Sequence, residues 1–423
     1  MTAALLALGG GVVAAAPAQA SHYPDRFTIE GSGYGHGVGM PQYGAYEMAR
    51  EGATGVAILK HYYAGARAPY TTTPARISVQ VFGPDPNGNP RYGDDASSTK
   101  VTVTGGAWRL RGPGGVTLAK GAGPETFTAS TVDNKIRVAV DGKRYTGGPL
   151  RIHWSGTTYW RQDGAPAIAD VAGAHGTYRH GRLTLTAKRG VPNIVNDLLL
   201  NTEYLYGVAE MPSSWGLSGG KRALRAQAMT ARSYAMAHDT RRKICRCHVV
   251  DDVRDQNFTG WKKENEGNNG YYGKVWVRAV DKTTRGVREA RVLRYQGAPV
   301  VAHYFSSSGG RTANSEEVWS AVIPYERSRK DPYSLRAPGN SYSSWTRTLT
   351  QQAARDLFGL YNVATIEVTR TWASGQVRTL RATQPNGKTA TLTGKSDQMR
   401  AWLGRATTHG SLPAAWIRSI DPS

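Results

Sequence analysis

Between residues 73 and 190 apolar residues recur at every second position. Ile77, Val79 and Val81 share one strand face; Val101 and Val103, then Ile136, Val138 and Val140, repeat the pattern. Leu150, Ile152 and Trp154 do so again, as do Leu183 and Leu185. A period of two belongs to strands with one buried face, because successive side chains point to opposite sides. Asp141-Gly142 and His180-Gly181 fall between such runs and are predicted hairpin turns. The 50 glycines and 21 prolines suit many short strands. This block is predicted to be a small sandwich or barrel with a basic outer face.

The flanking segments read differently. In KRALRAQAMTARSYAMAH, Leu224, Ala228, Ala231 and Ala235 lie on one helix face. Asn201–Glu210 is predicted as a short helix halted by Pro212, and a further helix covers Trp276, Ala279, Val280 and Val287. A helix capped at Thr350, a turn at Pro385-Asn386-Gly387 and a helix around Met399–Leu403 follow. The prediction is an α+β fold, a mixed core with a β-rich inserted domain. It divides into a leader (1–20), a glycine-rich segment completing the core (21–72), the β-rich insert (73–190), the core (191–345) and a C-terminal α/β segment (346–423).

Residues 3–16 are apolar, no charge precedes Asp25, and Ala18-Gln19-Ala20 is a small-x-small site. This predicts a signal peptide cut after Ala20. A retained anchor needs about 20 apolar residues, and this run is shorter and rich in glycine. No later run is apolar enough to cross a bilayer, so the expected product is secreted, extracellular or wall-associated. Lys and Arg number 53 against 31 Asp and Glu, a net charge of +22, which implies a polyanionic partner. Export makes genomic DNA a poor one and favours anionic wall polymers. The 22 Tyr and 11 Trp against 6 Phe are rings that stack on sugars or bases alike.

Five constellations carry chemistry. Glu210, in EYLYGVAEMPSSW, sits among Val208, Met211 and Trp215. Partial burial there would raise its pKa and suit it to general-acid work; a surface glutamate closing a helix fits the same spacing. Arg232 interrupts the small apolar run of its helix beside Gln227, and if buried needs a partner such as Glu210 or a substrate carboxylate; a solvated arginine is the alternative. In GSGYGHGVGMPQYGA the alternating glycines admit close backbone approach, and His36 can move a proton or hold a ligand with Gln42 nearby; a structural turn fits equally. Tyr304, Ser306, Ser307, Ser308 and Thr312 offer hydroxyls on a Gly-hinged loop, for sugar hydroxyls or for the loop itself. Cys245, Cys247 and His248, with His238, Asp251, Asp252 and Asp255, can be read as a zinc site or an oxidised pair. No metal is assigned.

These strings together resemble the sporulation stage II protein D family, the SpoIID/LytB amidase enhancers. The matching pieces are EYLYGVAEMPSSW, ALRAQAMTARSYA, HYFSSSGGRTANSEEVW, PYERSRKDPYS and the GHGVGM segment with ILKHYYAG. In the sporulation protein the GHGVGM segment follows the serine loop; here it comes first, as in a circular permutation. The 31–65 segment is therefore expected to fold back onto 190–335. The resemblance implies peptidoglycan as substrate and lytic transglycosylation, with Glu210 as acid and then base and Arg232 in support. It places His36, Gln42, Gln227, Tyr304, Ser306, Ser307, Ser308 and Thr312 along the cleft. It also implies a rival, a non-catalytic enhancer that stimulates an N-acetylmuramoyl-L-alanine amidase. No cofactor is required. Family members that bind zinc carry a cysteine where Asp255 stands, so zinc does not transfer.

Overall fold

The computed structural model describes residues 23–89 and 92–423; the predicted leader lies outside them. Among these residues the period-two block forms two sheets packed face to face. One has seven strands, in the order Val249–Val250, Arg76–Phe82, Val191–Leu199, Arg182–Lys188, Leu150–Trp154, Ala107–Arg111, Thr117–Ala122. The other has six, in the order Lys143–Gly147, Lys135–Val140, Glu125–Val132, Ser98–Thr104, Ile168–Val171, Thr177–Tyr178. Val101, Val103, Phe127 and Val138 face Leu110, Ile152 and Leu185 in one buried cluster. Trp108 meets Phe127 edge-on at 5.1 Å. The block is thus built of two sheets over one buried cluster. Each fully buried aliphatic side chain stabilises it by about 1.5–3 kcal/mol.

One of the two predicted hairpins forms. Asp141-Gly142 joins Lys135–Val140 to Lys143–Gly147, with φ of 49° and 67°. His180-Gly181 does not make a hairpin: the strands on either side of it belong to different sheets. The turn carries the chain from one layer of the sandwich to the other.

The sandwich is continuous with the rest. Val191–Leu199 is paired on both sides inside the seven-stranded sheet and then leads directly toward Glu210. Helices α1 (Gln42–Arg50), α2 (Gly55–Tyr62) and α3 (Lys221–Ala237) pack together, and Ile58, Leu59, Leu224 and Ala228 join the same core cluster. The face predicted for α3, Leu224, Ala228, Ala231 and Ala235, is buried.

The glycine-rich segment lies against the core. Met40–Pro41 pairs in parallel with Tyr304–Phe305, and Tyr34 and Val38 bridge Ser307 and Ala313. Gly39 permits this approach. Its φ is +79°, and a Cβ there would strike the His303 carbonyl.

A second core occupies the C-terminal part. Arg26–Ser32 is the middle strand between Trp345–Thr350 and Trp416–Pro422. Phe27 and Ile29 pack there with Leu349, Met399, Leu403 and Ile420. Thr350 caps helix Gln351–Phe358 by accepting from the Ala353 amide at 3.2 Å. The turn through Pro385-Asn386-Gly387 joins strands Val377–Thr383 and Thr389–Thr393.

Two helix predictions need correction. The helical turn at Leu200–Tyr204 closes before Glu210, because the Glu203 carboxylate takes the Leu199 amide at 2.8 Å and Val208 bridges Phe258. The helix at Trp276 spans Gly273–Asp281, so Val287 lies beyond it.

Candidate active site

Glu210 follows the last helical turn on an irregular stretch and is half-buried. Its Oε1 accepts from the Asn257 amide at 2.8 Å, and the Tyr304 hydroxyl hydrogen-bonds its carboxylate. Tyr304 also accepts from Gln256 Nε2 at 3.0 Å, and Gln256 Oε1 accepts from Tyr204 at 2.6 Å. Burial raises the Glu210 pKa above the ordinary carboxyl value; the Asn257 amide, the Tyr304 hydroxyl and the Lys263 charge offset only part of this. The carboxyl lines an open depression of about 400 Å³ together with Met211, Pro212, Lys262, Lys263 and Glu266. Lys263 is buried and donates to the Met211 carbonyl at 2.6 Å and to Glu266 at 2.5 Å. The bonds of Glu266 to Lys263 and Ser213 outweigh its burial and hold its pKa below normal. The groove thus contains one carboxyl biased toward the acid form and one held as the anion.

The glycine-rich segment supports this carboxyl from behind. Gln42 Nε2 donates to the Glu210 carbonyl at 3.0 Å and to Gln227 Oε1 at 3.5 Å. Gln227 is fully buried on α3, and its Nε2 has no partner among the described residues. His36 Nδ1 accepts from the Val38 amide at 3.1 Å, which leaves Nε2–H to donate to the Tyr304 carbonyl at 3.2 Å. Both ring nitrogens are therefore used. Burial, with His303 and Arg400 nearby, lowers the His36 pKa to about 3. The expectation that His36 moves a proton or binds ligand gives way to a positioning role, bracing the strand that carries Tyr304.

The profile of the stage II sporulation protein family, SpoIID, matches residues 188–289, the stretch that holds Glu210, Gln227, Asn257 and Lys263. Stage II sporulation protein D of Bacillus subtilis (strain 168) is 30% identical over 182 residues, covering 41% of this chain and 49% of that protein. Over this stretch the chain is similar to the SpoIID family. The Bacillus amyloliquefaciens protein of the same name is 29% identical over 181 residues, 41% of this chain and 50% of that one. The amidase enhancer of Bacillus subtilis (strain 168) is 32% identical over 143 residues, 34% of this chain and 16% of that protein. The chain spans about half the length, or less, of these curated relatives.

Arg232 lies in the matched SpoIID stretch but away from the carboxyl. It is fully buried, and its guanidinium donates to Asn201 Oδ1 at 3.0 Å, the Arg291 carbonyl at 2.9 Å, Thr283 Oγ1 at 3.1 Å and Thr284 Oγ1 at 2.9 Å. No carboxylate is among these partners, and desolvation lowers its pKa to about 9. The expectation that it orients Glu210 or a substrate carboxylate is corrected. Five residues separate Gln227 from Arg232, which puts them about 140° apart on a helix; the first faces the Glu210 segment and the second faces away.

The serine loop is also redirected. Ser307, Ser308 and Thr312 are fully buried. Ser307 accepts from Asn340 at 2.9 Å, Ser308 donates to Asp331 at 2.6 Å, and Thr312 accepts from the Arg329 amide at 2.8 Å. Their hydroxyls fasten the loop to the 327–340 segment and are turned away from solvent. Ser306 is half-buried and pairs through its carbonyl with the Tyr43 amide at 2.9 Å.

The cysteine cluster does not converge on a metal. Cys245 and Cys247 are joined in a disulfide. His248 Nδ1 accepts from the Ser78 amide at 2.9 Å, His238 Nδ1 bonds the Tyr234 carbonyl at 2.8 Å, and Asp255 holds Tyr234 and Arg242. His175, Asp251 and Asp252 bring ligand atoms within 4.8 Å of one another, but both Asp252 oxygens are already bonded by Arg254. Lys263, Glu266 and Asn257 escaped the sequence reading because no motif marks them, and Tyr204, inside the EYLYGVAEMPSSW string, carried no signal of its contact with Gln256.

Proposed function

We propose that this chain acts on the bacterial cell wall, as a lytic transglycosylase of peptidoglycan glycan strands with Glu210 as the acid. The observation that carries the reading is a carboxyl of raised pKa, held by the Asn257 amide and the Tyr304 hydroxyl, on the wall of an open groove. Glu210 protonates the bridging oxygen between muramic acid and glucosamine. As the glycosidic bond breaks, positive charge develops on the muramic ring, and the Glu266 carboxylate lies in the same groove. The ionised Glu210 then takes the proton of the muramic 6-hydroxyl as that oxygen bonds to the anomeric carbon. A 1,6-anhydro end results, and no covalent enzyme intermediate is needed. Cell-wall action also accords with the names of the relatives.

The match to the amidase enhancer supports a second reading, a wall-binding protein that stimulates an N-acetylmuramoyl-L-alanine amidase without cleaving glycan. Purified chain is incubated with glycan strands, with and without stem peptides, and products are examined by mass spectrometry for anhydromuramyl ends. Such ends in the parent and their loss in Glu210→Gln support the enzyme. Their absence in the parent, with a faster added amidase, supports the enhancer.

A further inference from the structure

The outer face of the seven-stranded sheet, away from the sandwich core, is crowded with positive charge. Strands Ala107–Arg111, Leu150–Trp154 and Arg182–Lys188 are neighbours there. Their register sets Arg151 opposite Arg111 and His153 opposite Arg109. Ile152 pairs with Leu183, so the next residues along, His153 and Arg182, face each other. Arg151 and Arg111 are like charges directly across an antiparallel pair, which is destabilising, whereas burial keeps the His153 ring neutral. Burial and the neighbouring guanidinium groups pull the pKa values of Arg109 and Arg151 down. A cavity of about 140 Å³ on this face is lined by Arg151, Arg182, Arg241 and Arg246 against one carboxylate, Asp197. That carboxylate already accepts from Arg182 at 3.2 Å, Ser78 at 2.7 Å and Thr184 at 2.9 Å.

The donors here are also unsatisfied. His153 is 2% exposed, and apart from a weak contact with the Tyr159 backbone its ring nitrogens find no hydrogen-bond partner among the described residues. The Nε atoms of Arg109 and Arg151 are likewise unpaired. A buried donor without an acceptor costs about 1–3 kcal/mol. A face that gathers such donors among crowded cations is suited to an anion.

We propose that this face binds a phosphate-bearing polymer of the poly(glycerol phosphate) type, with Arg109, Arg151 and Arg182 as anchors. Guanidinium forks match phosphate oxygens. The aromatic rings on the face argue against nucleic acid. Tyr159 is covered by Arg76 at 4.2 Å and Arg182 at 4.5 Å, and Trp160 by Arg109 and Arg161, each at 4.8 Å. A single strand of nucleic acid needs open rings on which bases stack, whereas a base-free polyphosphodiester needs only the cations.

The experiment is calorimetric titration of the full chain with poly(glycerol phosphate) at 50 and 200 mM salt. The parent binds, more weakly at the higher salt. The double variant Arg109→Gln/Arg151→Gln binds at least about 10-fold more weakly, with a salt slope lower by about 2. If that variant unfolds, Arg241→Gln/Arg246→Gln decides the matter, since both side chains are exposed at the rim; it is expected to weaken binding several-fold. Glu210→Gln binds as the parent does. Unchanged affinity and slope in whichever pair stays folded overturns the proposal. So does tighter binding of a single-stranded DNA oligonucleotide than of the polymer.

Discussion

The side-chain amide of Gln42 donates to the backbone carbonyl of Glu210 at 3.0 Å across 168 residues of sequence. The carboxyl on which the proposed chemistry depends is therefore held by a segment that precedes the whole sandwich. Removing this donor with Gln42→Ala leaves the Glu210 carbonyl short of one bond, worth about 1 kcal/mol. The expected outcome is glycan cleavage reduced by roughly 10-fold, a barrier change of about 1.4 kcal/mol, with the melting temperature nearly unchanged. Release of anhydromuramyl ends measures the rate, and a rate equal to the parent's would remove Gln42 from the site.

Replacing the acid itself is a harsher test. Glu210→Gln keeps shape and removes the proton, and general-acid catalysis typically contributes about 10²–10⁴-fold. A loss of that order is expected in the same assay. Residual cleavage at the parent's rate would mean the acid lies elsewhere.

Tyr304→Phe removes a hydrogen bond that favours the charged form of Glu210. The Glu210 pKa is expected to rise further, and the alkaline limb of the rate profile to move to higher pH. A profile that moves the other way, or not at all, contradicts the assigned bond.

Arg232→Ala is expected to act on stability. Its removal strands the Asn201 side chain and the Arg291 carbonyl inside the core, a loss of about 3–5 kcal/mol by analogy with broken buried charge contacts. Denaturant unfolding reads this directly. A variant that folds as stably as the parent yet loses activity would restore the catalytic reading.

His36 supplies a pH test. Its folded pKa, about 3, lies below the ordinary histidine value of 6.5. The native state thus holds fewer protons than the unfolded chain between these values. The stability from the neutral ring is complete above pH 6.5 and is lost as the pH falls toward 3, by up to about 1.4 kcal/mol per unit. His36→Gln, which keeps one acceptor and one donor, is expected to flatten the melting-temperature profile between pH 6 and 4. An unchanged slope would place the acid sensitivity elsewhere, for example at the equally depressed His153.

The sandwich was legible because burial on one face of a strand writes itself into every second residue, and the α3 face was legible for the same kind of reason. What periodicity cannot say is which sheet a strand joins, and so the His180-Gly181 crossing looked like a hairpin. Glu210 stood out through its apolar neighbours. The serines did not reveal their direction: Ser308 turns toward Asp331, 23 residues away, and only the closed fold supplies that acceptor. Arg232 misled because a charged residue in an apolar run signals burial without naming its partners.

The three-stranded sheet at the C-terminal core has its first-made strand, Arg26–Ser32, in the middle and two late-made strands on either side. Joining them closes a very long loop. A growing chain therefore carries its glycine-rich segment unanchored on that side until Trp416–Pro422 has been made. The segment that braces Glu210 is thus anchored on its far side only by a strand about 200 residues beyond the carboxyl it supports.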